Sequence, residues 1–577
     1  MLSYIGAFPF LRDAPAVLGF EQMIMVVTIM AERHEKVLTK SASNRRKLLF
    51  KSLAVYDRKL SEIEKPQGDA DVKGPTKGDV DTVRDAATHP PGFAVDAAGD
   101  DPDDEGIDDD DELVLGALDA LDINDAFRTG DSHAASTHGA MIPADNFRKL
   151  IMLLLLVAPL GPQESLSSHA GRLKGAELEN LRATAENVLS AFLNVEKSPG
   201  ITLAQFLNVV PGNFPYLFDG FTPLFEHFLF SKNLDFTKHR GDAPQTPTPA
   251  VVAPPLPPVL QDVGQIMNLS VLSQLSFFIP GGDLFHRLRL LYSGADAGFS
   301  MGSFETKVFN WRAPTILLVS GTRLRTGSAS VADSEGMFND SLPPRRFPHG
   351  GGGGGGGGGD DDDDEQRLVF GAYVSQPWRY TFKECFGTPD TVLFQLSPTH
   401  DVFPASAVNG ERVAFAKAPA LTPGISFGCP HPHTSQAAGA GGGGAGGRHH
   451  HRHGSRAGTF GTSSVPMRHL GPVSLAVDSS FEFGVFTHDW TSRGGAFATS
   501  AARRFAFQER FRVDDLEVWG CGGDEEARVQ RERWEWEARE AEARRRINLG
   551  TGDPATDRAL LEMAGLIGGH RSGGSMG

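Results

Sequence analysis

Cysteine is scarce in this chain: Cys385, Cys429 and Cys521 are spread over 577 residues. Odd in number and far apart, they match no disulfide framework or zinc knuckle and suit a reducing compartment. Long apolar runs are also lacking. The most apolar stretch, Leu150 to Leu160, is about half the ~20 residues a membrane-spanning helix needs. It reads as a buried helix ended by Pro159 and Pro162. No basic excess is present, and the formal charge is −17. Nucleic-acid binding draws most of its affinity from Lys and Arg neutralising phosphates, so direct DNA or RNA binding is disfavoured. Arg12, Asp13 and Glu21 interrupt the first apolar residues, and no basic region precedes them, which argues against a signal peptide. Leu2 follows Met1, so the sequence as written offers no myristoylation site.

Glycine is abundant, at 67 residues, but much of it lies in homopolymeric tracts. The length still exceeds one hydrophobic core, so two or more folded units are expected. All six Trp follow Met301, which places the aromatic-rich core in the C-terminal part. Residues 1–65 read as a helical segment. Met23, Val26, Val27, Met30 and Ala31 form one apolar stripe, and Leu48, Leu49, Leu53 and Tyr56 start another. Residues 66–112 are rich in Pro, Gly and Asp and form an acidic linker with too few apolar residues to offset ordering entropy. Helical spacing returns over 113–240, first in Leu178, Leu181, Ala185, Val188, Leu189, Phe192 and Leu193, then in Phe218, Phe221, Leu224, Phe225, Phe228 and Leu229. A Pro-rich linker over 241–260 marks the next boundary.

Beyond it the period changes. Thr315–Ser320, Arg367–Ser375, Thr391–Ser397, Val473–Asp478, Phe481–Thr487 and Phe511–Gly520 read as strands. Val473, Leu475 and Val477 alternate with small or polar residues, as a half-exposed antiparallel strand requires. Few long helices intervene, so the fold class is α+β: a helical N-terminal half and a C-terminal antiparallel β-sandwich with flanking helices. The sandwich domain spans 261–523, with low-complexity insertions at 326–366 and 430–465. Residues 524–577 form charged C-terminal helices and a tail. Asp524, Glu525 and Glu526 open the first of these and Arg544, Arg545 and Arg546 close it, complementing the helix dipole.

Several ordered motifs resemble the TLDc domain: Leu290–Ser303 (LLYSGADAGFSMGS), Trp311–Gly321 (WRAPTILLVSG), Phe370–Trp378 (FGAYVSQPW), Phe481–Asp489 (FEFGVFTHD) and Val518–Gly523 (VWGCGG). The N-terminal half is similar to the fungal restriction of telomere capping protein 5 family. Ser3–Phe10 (SYIGAFPF), Lys47–Asp57 (KLLFKSLAVYD), Phe214–Phe230 and Arg558–Ser575 bear that likeness. In that family the GAFPF-like segment lies inside the chain, so the resemblance implies that the family's N-terminus precedes Met1. It also implies a cytoplasmic protein without catalysis, linked to telomere capping. More widely, TLDc proteins are implicated in oxidative-stress resistance and in binding the vacuolar proton-pumping ATPase.

Two rival chemistries are written in the residues. Gly298-Phe299-Ser300-Met301-Gly302 matches the G-x-S-x-G of serine hydrolases, and His400-Asp401 and His488-Asp489 are the available partners. The motif needs a strand running into the turn, whereas Ser293–Ala297 breaks the chain, so Ser300 reads better as a helix cap. Cys385 reads better as a core cysteine than as a nucleophile. Asp101, Asp103, Glu105, Gly106 and Glu112 fall at calcium-loop positions, which would make the chain a calcium-responsive scaffold. Pro102 and the lack of a leading helix favour a solvated acidic tract. His449, His450, His451 and His453 lie among glycines, with no supporting residues to orient a metal. The expectation is therefore no catalytic, metal or cofactor residues, and a protein that acts by binding. Trp534 and Trp536 are the candidate partner contacts. Two residues apart on a charged helix, they point to different faces. Either one docks on the sandwich while the other faces out, or both pack on the protein itself.

Overall fold

The computed structural model describes residues 1–7, 17–36, 42–56, 140–160, 166–192, 200–226, 260–324, 333–348, 367–431, 467–522, 524–545 and 554–563, apart from 261, 263, 281–283, 286–287, 419 and 421. The chain forms two compact units. One comprises Met1–Val252 with Ser273–Phe278, and the other Ala253–Leu272 with Ile279–Gly577.

The first unit is built on α1 (Leu2–Gly6), α2 (Phe20–Met30), α3 (Ala42–Leu53), α4 (Ala144–Val157), α5 (Gly175–Ser190), α6 (Leu203–Asn213) and α7 (Phe221–Glu226). The apolar spacing seen in the sequence is the buried face: Val26, Val27 and Met30 on α2, Ile151, Leu154 and Leu155 on α4, and Leu181, Ala185 and Val188 on α5. Phe147, Phe192, Phe206 and Phe214 meet at its centre, with the Phe192 and Phe214 rings stacked 5.2 Å apart. A capping box starts α6, where Thr202 Oγ1 accepts from Gln205 N and Gln205 Oε1 accepts from Thr202 N. That arrangement satisfies two of the donors a helix start leaves open. A small antiparallel sheet joins β1 (Val55–Tyr56), β2 (Ala140–Pro143) and β3 (Gly200–Thr202), within the stretch that reads as purely helical. The acidic tract 66–112 lies outside the described residues, as does the Pro-rich linker save Leu260.

The second unit is an antiparallel sheet of ten strands. They are β4 (Leu288–Ser293), β5 (Thr315–Arg323), β6 (Arg367–Val374), β7 (Val392–Ser397), β8 (Asp401–Pro404), β9 (Val413–Ala416), β10 (Gly424–Phe427), β11 (Val473–Asp478), β12 (Phe483–His488) and β13 (Phe507–Cys521). Their order is β8-β7-β6-β5-β13-β12-β11-β10-β9, with β4 also pairing β13. The helices of this stretch are α8 (Leu269–Leu275, whose last residues belong to the first unit), α9 (Gly294–Ala297), α10 (Met301–Val308), α11 (Asp333–Asp340), α12 (Asp524–Arg545) and α13 (Pro554–Met563).

The sheet folds over on itself. β6 and β12 stand three steps apart in the strand order, about 14 Å in a flat sheet, yet Phe370 and Phe486 stack with centroids 4.6 Å apart. Phe403 on β8, farther still, also meets Phe486 at 5.4 Å. One continuous sheet thus supplies both layers of the sandwich. Phe304 of α10 plugs its open side and touches Trp378, Phe415 and Phe481.

The outer surface of β11 is not solvent. Ser474 and Ala476 are buried along with Val473, Leu475 and Val477, correcting the half-exposed reading of this strand. Helix α11 lies within the stretch that reads as an insertion, and it delivers Phe338, followed by Leu342, to a second cluster with Ala476, Phe483 and Val485. A charged pair is buried as well. Arg323 holds Glu509 through two bonds of 2.9 Å, both side chains almost inaccessible. The cost of desolvating such a pair offsets much of its attraction, so it adds little net stability.

Candidate functional site

The start of the second unit is tied to β13 by one carboxylate. Glu517, wholly buried, accepts from the N–H of Gln265, of Ile266 at 2.8 Å and of Met267 at 3.2 Å, and from Trp519 Nε1 at 2.9 Å. Four donors on one carboxylate make a satisfied anion in a backbone concavity. Gly264 leads into it because a Cβ there would stand 2.7 Å from Glu517 Oε2 and 2.8 Å from the Trp519 ring. Sequence reading missed Glu517. A lone Glu between Leu516 and Val518 was the available signal, since an acid flanked by core residues needs partners.

Ser300, His488 and Asp401 each have a structural task. Ser300 Oγ accepts from Ser303 N at 3.1 Å and donates to Ser303 Oγ at 3.0 Å, capping α10. The turn before it depends on Gly298, at φ 82°. His488 donates from Nδ1 to Phe505 O at 3.0 Å and accepts at Nε2 from Ser500 N at 3.1 Å. Both ring nitrogens are therefore engaged with backbone in the neutral tautomer, and burial lowers the imidazole pKa below its ordinary 6.5. Asp401 accepts from Arg503 Nε at 2.8 Å, while Arg503 Nη2 reaches Gln395 Oε1 at 2.7 Å and the guanidinium lies 4.1 Å from the Phe507 ring centre. His400 is wholly buried. Burial pushes the Cys385 thiol up to about 12, so it stays protonated and unreactive at neutral pH.

The two candidate tryptophans separate. Helix α12 opens against the sandwich, with Ala527 packed on the main core and Gln530 Nε2 donating to Lys307 O at 2.8 Å. One turn on, Trp534 lies half-buried under Lys307, whose Nζ is 4.6 Å from the ring centre. Trp536 points away and is 55% exposed. Of the two arrangements open in the sequence, one indole docks and the other faces solvent. Around Trp536 the helix surface is charged, with Arg533, Glu535 and Arg539 exposed. Arg528 bridges Glu525 and Glu532 on the same helix.

The acidic calcium-like loop and the His449–His453 cluster lie outside the described residues. Among the described residues no helix is long and apolar enough to cross a membrane.

Comparison with known proteins agrees with this architecture. Residues 260–522 match the TLDc domain, the stretch that opens beside the Glu517 anchor and ends just before α12. Over its full length the chain is 56% identical to the restriction of telomere capping protein 5 of Colletotrichum graminicola, covering 87% of that protein. The protein of the same name from Fusarium vanettenii is also 56% identical with 87% covered. That of Neurospora crassa is 52% identical with 86% covered. With the folded-over sheet, the capped α10 and likeness along both halves, the chain belongs to the restriction of telomere capping protein 5 family of TLDc-domain proteins.

Proposed function

We propose that this protein is a non-catalytic adaptor or regulator, whose TLDc domain and following helix bind a large cytosolic assembly. The observation that supports it is the split between Trp534 and Trp536 on α12: one indole anchors the helix, and the other is left in solvent amid Arg and Glu. An exposed indole ringed by charge is the composition of an interface anchor with a polar rim. The engagement of Ser300, Asp401 and His488 in capping and packing speaks for binding rather than hydrolysis.

The first candidate partner is the vacuolar proton-pumping ATPase, taken from the wider TLDc resemblance. A role in oxidative-stress resistance and an influence on telomere capping, the process in the relatives' name, would follow from regulating that assembly in the cytoplasm. Affinity purification of the tagged full chain from its own cytosol, followed by mass spectrometry, tests the reading. Pump subunits enriched over a tag-only control support it, and their absence from repeated captures rejects the pump as partner.

A further inference from the structure

We propose that a pocket beside Arg468 binds a small monovalent inorganic anion of chloride size. Arg468 is only 9% exposed. Its Nη1 donates to Val477 O at 3.4 Å and its Nη2 to Pro423 O at 3.0 Å, while the buried Nε has no hydrogen-bond partner among the described residues. No described carboxylate pairs with it. Asp478, the acid that acts on it electrostatically, has Oδ1 occupied by the N–H of Glu482 and Phe483 and Oδ2 by Ser480. Cys429 is also close, but burial raises its thiol pKa, so it brings no negative charge at neutral pH. A guanidinium stays protonated in proteins, and even with the Asp478 charge nearby a buried cationic N–H that no acceptor meets is unfavourable.

The acceptor that the Nε–H lacks has a place to sit. Arg468 borders a pocket of about 20 Å³ that Thr422, Ser426, His431 and His469 also line. A single water needs roughly 10–15 Å³ measured this way, so the pocket holds one atom-sized solute and is too small for a free phosphate or carboxylate ion. Hydroxyl and imidazole N–H groups are donors that suit an anion. One wall is held by Glu411 Oε1, which accepts from His431 N at 3.0 Å. Residues 432–466 contain no Asp or Glu, and they add Arg448, Arg452 and Arg456. An anion from solution would supply the acceptor that Arg468 Nε lacks among the described residues.

The test uses the full chain and sodium chloride, with sodium gluconate replacing it at constant ionic strength, and reads the melting temperature. A ligand that binds only the folded state raises stability in a saturable way. The wild type should gain several degrees on chloride and then plateau. Arg468→Met should lose that response. Because this variant removes buried polar bonds and risks misfolding, Ser426→Asp provides a second arm, lengthening one wall so that a single carboxylate oxygen takes the anion's place. Ser426→Asp should melt higher than wild type in gluconate and respond to chloride at least threefold less. No saturable chloride effect on wild type, or an undiminished effect in Ser426→Asp, overturns the proposal. In crystals soaked in sodium bromide an anomalous peak beside Arg468 Nε supports it, and a peak elsewhere with this pocket empty contradicts it.

Discussion

The Lys307 ammonium lies 4.6 Å from the centre of the Trp534 ring, and the Lys307 carbonyl accepts from Gln530 one turn earlier on the same helix. A single residue of α10 thus holds α12 at two points. Removing the indole should loosen the helix. We expect Trp534→Ala to cost about 1–3 kcal/mol, from half-buried area plus a cation–π contact. Trp536→Ala should stay within about 0.5 kcal/mol of wild type, as an exposed substitution does. Urea unfolding of the two variants measures this, and equal losses would mean that Trp536 also packs on the protein.

Ser300 makes a capping bond and nothing catalytic is expected of it. Ser300→Ala should cost roughly 0.5–2 kcal/mol, the usual effect of losing an N-cap, and leave biological activity intact. Ser300→Asp should recover the stability, because Asp caps as well as Ser. A folded Ser300→Ala protein without activity would restore the hydrolase reading.

Much of this fold was legible in the sequence, because β5, β6, β7, β11, β12 and β13 are runs of six or more residues with strong apolar patterning. The strand β4 went unread although it has six residues, and so did the short strands β8, β9 and β10. The last three have four residues each, such as Val413–Ala416, and owe their state to neighbours rather than to their own pattern. Helix α11 was hidden for a related reason: only Phe338 marks it as a surface-covering element within a polar, glycine-flanked stretch. The faces of Trp534 and Trp536 followed from helix geometry, but which one docks depended on Lys307, 227 positions away (534 − 307). The Glu517 site was legible only as a lone acid between core residues, because three of its four donors are backbone N–H groups, which no side-chain pattern announces.

That site gives the sharpest stability contrast. Trp519→Ala and Trp378→Ala should each lose about 3–5 kcal/mol. Trp378 is buried with Nε1 donating to Thr315 Oγ1 at 2.8 Å. Glu517→Ala removes little volume by comparison, yet it strands four donors, three of them buried, at about 1–3 kcal/mol for each buried unsatisfied group. Glu517→Gln keeps one acceptor oxygen and should fall between wild type and Glu517→Ala. Thermal melts of all four variants, with circular dichroism to detect loss of fold, check the order.

Stability should also fall with acid in a defined window. The folded pKa of His488 is depressed by burial, so below its ordinary 6.5 the unfolded chain takes up a proton that the folded chain refuses. More protons bound when unfolded means stability drops as pH falls through 6.5, until the folded pKa is reached. His488→Gln preserves an acceptor for Ser500 N and a donor for Phe505 O without titrating. Denaturant midpoints between pH 7.5 and 5 should decline less steeply in this variant. Parallel curves for the two proteins would assign the acid sensitivity elsewhere.

The central claim is that α12 presents Trp536 to a partner while Trp534 holds the helix in place. Its most direct test is quantitative capture of vacuolar pump subunits by immobilised wild-type chain, Trp536→Ala and Trp536→Phe, with folding verified beforehand. Hot-spot tryptophans lose 2 kcal/mol or more on truncation, about a 30-fold drop in affinity. We expect Trp536→Ala to capture at least tenfold less than wild type at matched folding and Trp536→Phe to retain part of the signal. Equal capture by wild type and folded Trp536→Ala, or no capture by wild type, would contradict the account.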